Sequence, residues 1–118
     1  MEAKKLYVPK FDKKGHCEIN PAYKEIFKLY DLLADSEISF SLRRNFDGWQ
    51  ILYPAAEHPS EETVVSVIQH YGSYGGSADR LEIMGLLTPE EKEDDCVLGY
   101  LTAAEVHKRI KQHWESRP

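Results

Sequence analysis

Apolar residues in this chain switch between two periods, and the switches divide it into elements. Tyr23, Ile26, Phe27, Tyr30 and Leu33 recur three and four positions apart, the period of one helical face. Lys24, Glu25, Lys28 and Asp31 fall mostly opposite them. Asn20 followed by Pro21 reads as an N-cap and a first helical residue. Asn accepts from an orphan amide there, and Pro has no amide to leave orphaned. The helix is therefore expected from Asn20 to about Asp35-Ser36. From Ile38 the period drops to two. Ile38, Phe40 and Leu42 alternate with Ser39, Ser41 and Arg43. Beyond Asn45-Phe46-Asp47-Gly48, Trp49, Ile51 and Tyr53 alternate with Gln50 and Leu52 until Pro54. Two half-buried strands joined as a hairpin, with a loop of about four residues, fit that pattern.

An acidic loop, residues 55–62, separates the hairpin from a β-branched run, Thr63 to Tyr71. Its near-continuous apolar character predicts a central strand covered on part of both faces. After it, Ser77 is placed to cap a short helix with Leu81, Met84 and Leu87 inward, although Gly85 weakens it. Thr88-Pro89-Glu90-Glu91 and Thr102-Ala103-Ala104-Glu105 both match the capping box. The second opens a final helix with Val106, Ile110 and Trp114 on one face. Cys96 to Leu101 either adds a strand or leads into that helix. The expected fold is α+β: a single domain over 20–118 with a three-stranded, largely antiparallel sheet. An N-terminal-half helix and a C-terminal helix pack on it. Residues 1–19 are basic and read as an arm or a small hairpin.

At 118 residues the chain has room for one core. Its net charge of -5 disfavours direct nucleic-acid binding, which needs a basic surface to neutralise phosphates. No apolar run approaches the length of a membrane span, and Leu6-Tyr7-Val8-Pro9 is too short for the apolar part of a secretory leader. The expected location is cytoplasmic, with Cys17 and Cys96 reduced. No metal-ligand spacing is present: His107 and His113 are six residues apart on a helix and point to different sides. No cofactor or catalytic residue is assigned.

The strongest candidate site is the segment in which the β-branched run stops at His70. A loop rich in glycine, serine and tyrosine follows, His70-Tyr71-Gly72-Ser73-Tyr74-Gly75-Gly76-Ser77-Ala78-Asp79-Arg80. Loops at strand ends carry binding residues more often than the elements they connect. The expected binding set is His70, Tyr71, Ser73, Tyr74, Gly75, Gly76, Ser77, Asp79 and Arg80. Three chemistries are open to it. Glycines that free the backbone could turn successive amides toward an anion, with Arg80 adding charge, although the spacing matches neither nucleotide-binding glycine motif. His70, Ser73 and Asp79 contain the residue types of a nucleophilic triad, which only geometry can establish. Tyr74, within the loop, is expected to be the most exposed aromatic, and tyrosine is favoured at protein interfaces.

Phe46-Asp47-Gly48-Trp49-Gln50-Ile51-Leu52-Tyr53-Pro54, Tyr71-Gly72-Ser73-Tyr74-Gly75-Gly76, Leu81-Glu82-Ile83-Met84-Gly85-Leu86-Leu87-Thr88-Pro89-Glu90-Glu91 and Gly99-Tyr100-Leu101-Thr102-Ala103-Ala104-Glu105-Val106 together give the chain a resemblance. It resembles small uncharacterised proteins carried by phages and mobile elements of Gram-positive bacteria, over about residues 22–115. The resemblance implies an accessory protein acting inside a bacterial host cell, and it carries over no catalytic residue. The function expected is a non-enzymatic module that binds a host or phage protein, with inhibition of a host defence or nucleic-acid-processing protein as one form of that role. The alternatives are a small-molecule site for a nucleotide or other phosphorylated ligand, and a structural homo-oligomer.

Overall fold

Among the described residues five strands form, and each pairs with its sequence neighbours. The computed structural model describes residues 22–118, and the arm or hairpin expected over 1–19 lies outside them. Helix α1 (Glu25–Asp35) leads into β1 (Ser41–Asn45), β2 (Gly48–Tyr53) and β3 (Val65–Gln69). A 3-10 turn (Gly76–Ala78) precedes β4 (Leu81–Met84), followed by helix α2 (Pro89–Asp94), β5 (Leu98–Leu101) and helix α3 (Ala103–Ser116). The sheet order is β1-β2-β3-β4-β5, antiparallel throughout. The α+β class and the antiparallel meander agree with expectation. The strand number does not.

Both additional strands come from the half of the chain beyond the glycine loop. Leu81, Met84 and Leu87 suggest a helix by spacing, but the segment takes period two instead. Leu81 and Ile83 are buried, while Glu82 is half-buried and Met84 exposed. Pairing decides it: β3 has a free edge, and Val67↔Ile83 and Ile68↔Glu82 fill its ladder. Four residues cannot nucleate a helix that competes with those bonds. Gly85 then ends the strand at φ +111, a backbone position that L side chains rarely adopt. Cys96 to Leu101 resolves to a strand over Leu98–Leu101. The first strand begins at Ser41, and Ile38 and Phe40 are buried in the approach to it.

The central position expected for the Val-rich strand is observed, trimmed to Val65–Gln69. Its inward residues, with Trp49, Ile51, Tyr53, Leu81 and Ile83, share one core with Ile26, Leu29 and Leu33 of α1 and Val106 and Ile110 of α3. Full burial of each such aliphatic side chain contributes about 1.5–3 kcal/mol. Helices α1 and α3 pack on each other, α1 against β2 and α3 against β4. Trp49 is buried in this core, while Trp114 is half-buried at its border. Among the described residues no helix is long and apolar enough to cross a membrane.

Candidate functional site

Helix α1 starts at Glu25 rather than beside Asn20-Pro21, and its N-cap is Lys24, whose side chain makes no capping bond. The first amides of α1 are satisfied from the glycine loop instead. Asp79 Oδ1 accepts from Lys24 N at 2.8 Å and Glu25 N at 3.0 Å. Gln69 Oε1 accepts from Ile26 N at 3.1 Å, and Gln69 Nε2 donates to Asp79 Oδ1 at 2.8 Å. Gln69 is wholly buried, so its amide is useful there only because both ends are paired. Burial raises the Asp79 pKa, but hydrogen bonds from Gln69, Glu25 N and Lys24 N, with the nearby Lys28 ammonium, outweigh it and leave it lowered. The relay continues to α3, because Glu25 Oε1 accepts from Ala103 N at 2.9 Å.

Ser73 and His70 of the loop are committed as well. Ser73 Oγ accepts from His70 N and donates to His70 O, at 3.0 and 2.8 Å. His70 Nδ1 accepts from Gly72 N at 3.0 Å. The residue types of a triad are therefore brought close without forming a proton relay. Ser73 meets the backbone of His70 and not its ring, and Asp79 faces α1. The anion-cradle reading meets a similar obstacle. The amides of Tyr71 and Tyr74 donate to Asp47 and Glu82 carboxylates, and those of Ser73, Gly76, Ala78, Asp79 and Arg80 donate to loop carbonyls. Arg80 donates to the carbonyl of Asp79 at 2.8 Å. Gly76 serves close packing, since a Cβ there would lie 2.1 Å from the His70 carbonyl oxygen.

What remains outward-facing is aromatic. Tyr71 is 70% exposed, Phe46 68%, Tyr100 67% and Tyr74 55%. Tyr74 is thus not the most exposed aromatic. Its neighbour across the bulge in β5 crowds it: a Cβ on Gly99 would lie 2.3 Å from the Tyr74 Cβ, and Tyr100 N donates to Tyr74 O. Phe46, His70 and Tyr71 form a contiguous surface. The Phe46 ring lies 4.8 Å from the His70 ring and 6.2 Å from the Tyr71 ring, centroid to centroid, and the His70 and Tyr71 rings are 5.9 Å apart. Asp47 braces them, accepting from Tyr71 N through Oδ1 and from the Tyr23 hydroxyl through Oδ2. Ser77 is exposed on the same loop, while Gly75 and Gly76 are buried.

Two of these aromatics sit on strained backbone. Phe46 has φ +57 in the two-residue turn between β1 and β2, and Tyr100 has φ +61 opposite Glu82, where the β4–β5 register shifts. Left-handed backbone costs an L-residue about 1–2 kcal/mol, and glycine is the residue normally found at such a turn position. Neither side chain contributes to the core. The expected site set omitted both residues. The signal for Phe46 was available: a phenylalanine at the centre of a tight turn between two alternating strands has no core to enter. Tyr100 had no such signal, because a bulge is a property of the pairing. Comparison with protein-family models, with curated proteins and with solved structures finds no match for this chain. The described residues contain no group of three or more His, Cys, Asp or Glu able to hold a metal ion.

Proposed function

We propose that the protein is a non-enzymatic binding module that engages a protein partner through the aromatic end of its sheet. Phe46, His70 and Tyr71 form the contact, with Tyr74 and Tyr100 beside it. The observation that carries this reading is an outward-facing aromatic ring, Phe46, held on left-handed backbone where glycine would be less strained. Strained, exposed positions of this kind concentrate at functional surfaces, and aromatic side chains are enriched at protein interfaces, tyrosine among the few residues that dominate their energy. The phosphorylated-ligand alternative has less support, because most of the loop amides already have acceptors, on Asp47, on Glu82 and within the loop. The accessory role in a phage or mobile element, within a bacterial cytoplasm, belongs to the same proposal.

The test is cross-linking of an intact host-cell lysate to protein carrying a photoreactive phenylalanine analogue at position 46, with a second sample labelled at exposed Glu115 as control. A discrete cross-linked protein at position 46, competed by unlabelled wild type but not by Phe46→Gly/Tyr71→Ala, is the expected result. Equal competition by the double variant overturns the aromatic contact. A cross-linked product with the mass of two copies of this chain replaces the module with the homo-oligomer.

A further inference from the structure

Tyr71 and Tyr74 project from a segment with little of its own to hold it. Gly72, Gly75 and Gly76 fall within five residues there, and glycine loses more backbone freedom on ordering than any other residue. Both tyrosines are exposed, outside the core. Each nevertheless has its backbone amide tied to a carboxylate on a paired element. Tyr71 N donates to Asp47 Oδ1 at 3.0 Å, in the turn that leads into β2, and Tyr74 N donates to Glu82 Oε1 at 2.7 Å, in β4. Strands β2 and β4 are the two neighbours of β3. The loop that leaves β3 is therefore gripped from both flanks. Between the two grips Ser73 closes on the backbone of His70, and beyond them the Tyr74 carbonyl accepts from Tyr100 N at 3.2 Å.

Satisfying the two amides does not account for these bonds. Both are exposed, and an exposed amide exchanges a protein acceptor for water at little cost. Water cannot fix where a tyrosine stands. The two carboxylates can, because each is itself held. Asp47 Oδ2 accepts from the Tyr23 hydroxyl at 2.8 Å, and Tyr23, just before α1, is buried. Glu82 lies between buried Leu81 and Ile83 of β4 and pairs with Ile68 across the ladder. The tie at Tyr71 keeps its ring 6.2 Å from Phe46 at an interplanar angle of 85° and 5.9 Å from His70, the edge-to-face arrangement that aromatic rings prefer. Association ordinarily has to order loops and side chains at the interface, and a surface already ordered avoids that cost.

We infer that Asp47 and Glu82 are positioning residues of the aromatic contact, which hold Tyr71 and Tyr74 in their bound arrangement before a partner arrives. The inference rests on the contact proposed above and concerns what prepares it. The test compares Asp47→Ala with Asp47→Asn and Glu82→Ala with Glu82→Gln in the full chain. Asn and Gln keep an oxygen that accepts from the tyrosine amide and lose only the charge. Spin relaxation of isotope-labelled wild type is expected to give the Tyr71 and Tyr74 amides order parameters of about 0.85, as in rigid backbone. Asp47→Ala is expected to lower the Tyr71 value below about 0.6 and leave Tyr74 unchanged, and Glu82→Ala to do the reverse. The Asn and Gln variants are expected to restore both. With the photoreactive analogue at position 46, each alanine variant is expected to lower the yield of the cross-linked partner roughly three- to tenfold, and each amide variant to recover it. Glu82→Ala carries the test if Asp47→Ala fails to fold, because among the described residues the Glu82 carboxylate bonds an exposed amide and nothing buried. Unchanged order parameters in the alanine variants, or no recovery with Asn and Gln, overturns the inference and leaves the contact standing. So does an equal loss of cross-linking from Glu61→Ala, which removes an exposed carboxylate elsewhere. No cross-linked partner with the wild type overturns the contact and the inference together.

Discussion

The three α-helices among the described residues begin in two different ways. Helices α2 and α3 are capped from within: Thr88 and Glu91 form one reciprocal box, and Thr102 and Glu105 the other. Helix α1 is capped from a distance. Asp79 lies more than fifty residues from the amides it accepts, and Gln69 more than forty. A local cap stabilises its own helix whatever else has folded. The distant cap exists only when the β3–β4 loop and α1 are docked, so it ties secondary structure to tertiary assembly. Within the loop it is Asp79 that holds α1, and Glu25 of α1 in turn holds the start of α3.

Breaking the distant cap should cost more than breaking a local one. Asp79→Ala orphans the amides of Lys24 and Glu25 and one donor of Gln69, and Gln69→Leu leaves the Ile26 amide unpaired in the core. Each is expected to lower unfolding free energy in urea by about 2–3 kcal/mol. Thr102→Ala is expected to cost about 1 kcal/mol. Equal losses in the two classes would show that the relay adds nothing beyond an ordinary cap.

The glycines of the loop sharpen the same contrast. Gly76→Ala drives a Cβ into the His70 carbonyl, whereas a Cβ on Gly72 meets only the His70 ring, at 3.3 Å. The expected losses are about 1–3 kcal/mol for Gly76→Ala and under about 1 kcal/mol for Gly72→Ala. Thermal unfolding of both variants checks the order.

Acid should loosen both kinds of cap. The Arg109 side chain, with the Thr88 amide, lowers the Glu91 pKa from 4.5 to about 2. The Thr102 amide and hydroxyl lower that of Glu105, and Asp79 is lowered despite its burial. Each folded pKa lies below its unfolded value, so the unfolded chain binds more protons in the interval between them. Their stabilisation is therefore complete above the unfolded carboxylate pKa and is lost as pH falls from about 5 toward 2. Urea midpoints at stepped pH should fall through that window, with a shallower fall for Asp79→Asn. His107 adds in the same direction at higher pH, since burial and Lys111 lower its pKa from 6.5.

The smallest expected change in stability has the opposite sign. Phe46→Gly relieves left-handed backbone at the turn, and a gain of up to about 1 kcal/mol is expected despite lost contact with the His70 and Tyr71 rings. Calorimetry checks it. A loss instead would make Phe46 a structural residue and remove the reason for reading it as a contact.

Local rules made much of this molecule legible. Both capping boxes, the central Val-rich strand and the inner face of α3 all follow from residues within one or two turns of each other, whereas β2, expected half-buried from its alternation, is buried along its whole length because Gln50 and Leu52 are covered too. The errors share a cause. Asn20-Pro21 has the chemistry of a helix start, yet α1 begins at Glu25 because Asp79 and Gln69 supply its acceptors there. Leu81 and Met84 have helical spacing, yet they pair with β3 because its edge was open. Tyr74 lies in the flexible-looking loop, yet Phe46 and Tyr100 project further because a tight turn and a bulge push them out.

The sequence by itself determined the α+β class, the helix faces and the local caps, since each depends on periodicity or on contacts three residues apart. Tertiary structure alone decided the fourth and fifth strands and the use of the glycine loop, because strand pairing and distant capping require groups separated by tens of residues to meet. It also decided which aromatics face outward. An alternating pattern shows that one face of a strand is buried, but only the assembled sheet shows which rings its turns and bulge leave outside.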